Sequence, residues 1–121
     1  LVPTVINDDL AAPYALHRKT LNGYVSLPNY RNYWRVAGYD KEMDNIESII
    51  ADTPKESLAE QLQQAMTDEW LRDCTISGNA AQVREQFSAW AQAGVLPIAV
   101  MSSTSGGQAK AVAELFAAFE S

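Results

Sequence analysis

Few residues of this chain have the types and spacing that chemistry needs. Asp8 and Asp9 are adjacent carboxylates, the pairing used for acid–base work. Carboxylates just before a helix also accept its free N–H groups and offset its dipole, and that is the simpler reading here. With Asn7, an amide able both to donate and to accept, they form a polar cluster suited to a turn or helix cap. Ser102-Ser103-Thr104-Ser105-Gly106-Gly107 precedes a helix, whose first backbone N–H groups suit an anion. It lacks the lysine and spacing of a P-loop, so a plain surface loop is the default. His17 is the single histidine and Cys74 the single cysteine. One of each makes neither a metal cluster nor a nucleophilic triad, and no metal site is predicted. His17 stands beside Arg18 and Lys19 and is expected on a solvated helix face. Cys74 is expected to be a small buried apolar residue. Tyr24, Tyr30, Tyr33, Trp34 and Tyr39 either stack on an aromatic ligand or pack between two helices, and the second is the plainer account.

The elements that must position these residues are bounded by length and composition. The chain has 121 residues, enough for one domain at most, and is 47% hydrophobic and 20% charged. That balance excludes disordered and low-complexity chains. Its net charge is −6, from nine Lys and Arg against fifteen Asp and Glu. It lacks the basic footprint that nucleic acid or an anionic membrane would require. A lone cysteine rules out an internal disulfide and fits a cytoplasmic location. No apolar run approaches the roughly 18 residues of a membrane span. The start, Leu1-Val2-Pro3-Thr4-Val5, has neither Met nor signal-peptide features, and suggests a piece of something longer.

Val2–Ile6 reads as a buried strand. A helix follows with Pro13 in its first turn, running to about Leu27 and stopping at Pro28. It carries one stripe through Leu16 and Thr20 and a second through Tyr14, Leu21 and Val25. Asn29 is predicted to cap a short helix closed by Gly38, and Asp40 to open the next, with Met43 and Ile46 inward. Thr53-Pro54-Lys55-Glu56 is the strongest local signal. Thr should cap, Pro take the first helical position, and Glu56 reach back to close a capping box. Thr67-Asp68-Glu69 starts a further turn bearing Trp70 and Leu71. Asn79 and Gln82 resemble a weaker capping box, opening a helix with Val83, Phe87 and Trp90 that ends at Gly94. Val95–Met101 is the second predicted strand, with Pro97 near its start. A last helix should bury Ala109, Val112, Ala113, Phe116 and Phe119.

The expected class is therefore α/β and mostly helical, with about two strands of the parallel, doubly buried type. Two such strands cannot satisfy their backbone groups alone, so the sheet should need neighbours from outside the chain.

Two stretches carry a resemblance. One runs from His17-Arg18-Lys19 through Gly23-Tyr24-Val25-Ser26-Leu27-Pro28-Asn29-Tyr30 to Ala37-Gly38-Tyr39. The other runs from Met66-Thr67-Asp68-Glu69 through Gly78-Asn79-Ala80-Ala81-Gln82-Val83 to Ala93-Gly94-Val95. Together they resemble the C-terminal part of the luciferase-like monooxygenases, flavin- and deazaflavin-dependent oxidoreductases. In that family an Arg, a Tyr and Leu-Pro-x-Tyr share a long helix, and a Gly-Thr-Pro-Glu-Glu-Val-like start precedes a helix ending in Ala-Gly-Val. The resemblance implies a fragment of a (β/α)8 TIM barrel, residues 1–121 being its last quarter to third. Val2–Ile6 would be its seventh strand and Val95–Met101 its eighth. A whole barrel takes about 250 residues.

The same resemblance implies an intact enzyme that uses FMN or the deazaflavin coenzyme F-420 on a small-molecule substrate. The reaction would be hydride transfer or flavin-activated oxygen chemistry. This chain alone is expected to bind neither coenzyme and to lack activity. Because barrel sites lie at the carboxyl ends of strands, Asn7, Ser102 and Ser103 become the candidate cofactor-binding residues. No catalytic residue is implied. The alternative is a non-catalytic barrel remnant that oligomerises, or completes its sheet with another chain.

Overall fold

A computed structural model describes residues 1–120. Among them are three parallel strands in one sheet and seven helices, so the α/β, mostly helical expectation holds. The strands are β1 (Val2–Ile6), β2 (Ile76–Gly78) and β3 (Ala99–Ser102). The helices are α1 (Ala11–Val25), α2 (Pro28–Val36), α3 (Asp40–Asp52), α4 (Lys55–Ala65), α5 (Asp68–Cys74), α6 (Ala80–Gln92) and α7 (Gln108–Phe119). None of them is long and apolar enough to cross a membrane.

The sheet order is β2-β1-β3. β2 corrects the expectation of two strands: it aligns Ile76 with Thr4 and Gly78 with Ile6, giving β1 a neighbour from within the chain. Three residues ending in Ser-Gly are too short to show a period, which is why the sequence pattern misses them. β3 pairs on the other side, Val2 with Ala99 through Val5 with Ser102. It starts four residues later than predicted. Pro97 has no N–H for a ladder. The Val95 N–H is bonded to the Trp90 carbonyl, closing α6 with Gly94 at φ +82°.

The chain forms two compact units. The first comprises Leu1–His17 and the stretch from Glu69 onward, and holds the sheet. Val2, Ile76 and Val83 are all but fully buried there, with Ile6, Phe87 and Trp90 packed around them. Strand side chains alternate, so Ile76 joins this cluster and Ser77 points to the opposite face. Asn79 caps α6 reciprocally with Gln82, as predicted. On α7 the buried residues are Ala111 and Ala118, whereas Val112, Phe116 and Phe119 are exposed. This corrects the predicted stripe: the small alanines allow close approach, and the bulky side chains turn outward.

The second unit, Arg18–Asp68, is helical. Met43, Ile46 and Leu62 are buried in it. Arg31, itself buried, donates to the Val25 carbonyl at the end of α1 and pairs with Glu47. Arg35 bridges Asp44 (2.7 Å) and Glu47 (2.9 Å). The cap at Thr53 is corrected. The Thr53 N–H is bonded to the Ile49 carbonyl, so Thr53 ends α3 while Pro54 takes the cap position of α4. Glu56 then sits one residue too early to close a box. α2 likewise starts at Pro28 with no side-chain cap, instead of at a cap on Asn29.

Candidate functional site

Three parallel strands deliver their carboxyl ends to one rim of the sheet. Sheets of this kind bind ligands outside those ends, where the strand order reverses. Here the chain passes from β1 to β2 on one side and then to β3 on the other, so the reversal falls between β1 and β3. Asn7 follows β1, and Ser103 and Thr104 follow β3. Asn7 Nδ2 donates to Thr104 Oγ1 at 2.8 Å, pinning the two loops together at that point. The Asn7 N–H is bonded to the Gly78 carbonyl (2.9 Å), tying in the end of β2.

The other predicted residues fall around this pin. Asn7 Oδ1 accepts the Asp9 N–H (3.1 Å), and Asp9 Oδ1 accepts the Ala11 and Ala12 N–H groups. Asp9 is thus a helix cap, and Asp8 is exposed. Ser102 ends β3 opposite Val5. Ser103 Oγ donates to Glu114 Oε1 (3.1 Å) and accepts the Ser105 N–H. Lys110, in the first turn of α7, is bonded to Ser105 Oγ (2.6 Å). Glu114 Oε2 is buried with no hydrogen-bond partner in the structure, an acceptor left for a donor group.

His17 corrects a sequence expectation. It is buried, with Nε2 2.8 Å from Ser77 Oγ. Burial lowers its pKa to about 4, against a smaller upward pull from a hydrogen bond with the Ile76 backbone. A serine beside an imidazole is the geometry of an activated nucleophile. A base held so far below neutrality takes that proton poorly, so the pair is structural. The signal for it was present: His17 shares the Tyr14, Leu21 and Val25 stripe, and all four are buried. Cys74 is only half-buried, where full burial was expected. Tyr24 and Tyr30 meet edge to face, with centroids 4.9 Å apart, in the helical unit. Among the described residues no group of His, Cys, Asp and Glu is arranged to hold a metal ion.

No family model, no curated protein and no solved structure matches this chain.

Proposed function

We propose that this chain is a segment of a luciferase-like, flavin- or deazaflavin-dependent oxidoreductase, and that it contributes one polar wall of the coenzyme site. The observation that carries the reading is the Asn7–Thr104 pin at the carboxyl ends of β1 and β3. Barrels and open doubly wound sheets both place ligands at that rim, so the location of the site does not depend on which architecture the whole sheet adopts. The coenzyme, FMN or coenzyme F-420, supplies the redox chemistry. Asn7, Ser102 and Ser103 orient its polar edge. The substrate is a small molecule held against the same rim.

Coenzyme titration of the chain encoded by the complete reading frame tests this. FMN or coenzyme F-420 absorbance should be perturbed, and Asn7→Ala should weaken binding by about tenfold, the loss of one well-placed hydrogen bond. If neither coenzyme's spectrum changes and neither is turned over, the reading fails.

One observation favours a second reading, a non-catalytic segment that completes its sheet with another chain. The β3 edge borders an apolar groove of about 450 Å³ lined by Phe87, Leu96, Ile98, Leu115, Phe116 and Phe119. Leu96 is 84% exposed and Phe116 67%. An edge strand beside such a groove is a template for pairing. Light scattering should find an oligomer, and a stable monomer would sink this reading.

A further inference from the structure

The opposite flank of the sheet holds a cavity of another character. It measures about 130 Å³, and Leu10 and Tyr14 line it together with Arg72, Thr75, Ser77, Gln82 and Gln86. We propose that this cavity binds a small carboxylate, with Arg72 as its counter-ion. The proposal uses none of the rim residues, so it stands or falls apart from the coenzyme reading.

Arg72 fixes the charge of the ligand. Arg18 is held by the Met66 carbonyl and Asp68, Arg31 by the Val25 carbonyl and Glu47, Arg35 by Asp44 and Glu47, and Arg84 by the Ala118 carbonyl. Arg72 alone among the arginines makes no ion pair or side-chain hydrogen bond with the described residues. It does so in a chain with fifteen carboxylates and only nine cations. No Asp or Glu lines the cavity to compete for it. A guanidinium presents paired N–H donors that match a carboxylate in a two-pronged contact. One cation with no second lining it suits a monoanion.

Beside the apolar surface of Leu10 and Tyr14, the polar groups of the cavity are fixed in advance. Ser77 Oγ is committed to His17 Nε2, and Thr75 Oγ1 donates to the Leu71 carbonyl. Gln86 Nε2 donates to the Ser77 carbonyl (2.7 Å), and its Oε1 accepts the Ser77 N–H (3.4 Å). Ser77 and Thr75 are buried, so a ligand meets groups already ordered and loses little entropy in fixing them. At roughly 30 Å³ per water, the space equals about four waters, room for a carboxylate on a short carbon chain.

The test is an NMR titration of the full chain with sodium acetate, against sodium chloride at matched ionic strength. Saturable shifts should appear at the Arg72 side-chain N–H and the Gln82 amide, with millimolar affinity for so small a ligand. Arg72 is exposed on α5, and Arg72→Gln should fold normally yet weaken binding by about tenfold or more. Arg72→Lys, which keeps the charge and loses the fork, should fall between. Shifts equal to those in chloride, or an Arg72→Gln affinity equal to wild type, overturn the proposal. Inorganic phosphate binding more tightly than acetate overturns the carboxylate assignment.

Discussion

β2 and β3 are edge strands of one sheet, yet their surroundings differ. β2 is bracketed by polar bonds: His17 meets Ser77 on one face, Gln86 clasps the Ser77 backbone, and the Asn79–Gln82 box fixes the helix that follows. β3 is bordered by Leu96, Ile98, Phe116 and Phe119, all exposed. A polar seal requires specific partners at fixed distances, so it is complete within the chain or fails outright. An apolar border is indifferent to which apolar surface covers it. The β2 flank should therefore govern stability, and the β3 flank association.

Ile76→Ala strikes the β2 flank hardest. It empties a fully buried position against Val2 and Val83 and should cost about 2–5 kcal/mol in denaturant unfolding. A loss comparable to that of a surface substitution would break the contrast.

Acid should reach the same flank through His17. Its folded pKa of about 4 lies below the ordinary 6.5, so the unfolded chain binds the extra proton first. The stabilisation from the neutral imidazole is whole above pH 6.5 and is lost as pH falls through 4, amounting to about 3 kcal/mol. Unfolding measured across that window should show this slope, and His17→Gln should flatten it. The same slope in both proteins would mean that His17 does not titrate on unfolding.

The smallest effect on stability belongs to β3. Ile98→Ser, at a position 56% exposed, should change unfolding by no more than about 0.5 kcal/mol. It should nevertheless shift the light-scattering mass downward if the groove is where chains meet. A large stability loss with unchanged mass would reverse the contrast.

Local chemistry was legible where a residue had no competing claim. Gly38 and Gly94 close their helices at positive φ as their positions in the sequence predict. The Asn79–Gln82 box formed because the Asn79 N–H was open to the Gln82 side chain. The stronger signal at Thr53 failed because the end of α3 had already taken its N–H. Two helices met at one residue, and a window of four residues cannot see that. The rim was legible in part. Asn7, Ser102 and Ser103 could be placed at strand ends, but that Asn7 would hold Thr104, ninety-seven positions away, could not be read from spacing.

Sequence patterning set the α/β class, most of the helices to within a few residues, and the Asn79–Gln82 cap of α6. Those depend on interactions over three or four residues, which composition and period record directly. Only the tertiary structure decided that β2 joins the sheet, that His17 is buried against Ser77, and that the aromatic face of α7 turns outward. Each is a choice between surfaces of similar local propensity. The choice was made by which residues, distant in the chain, could satisfy a backbone edge or fill a space.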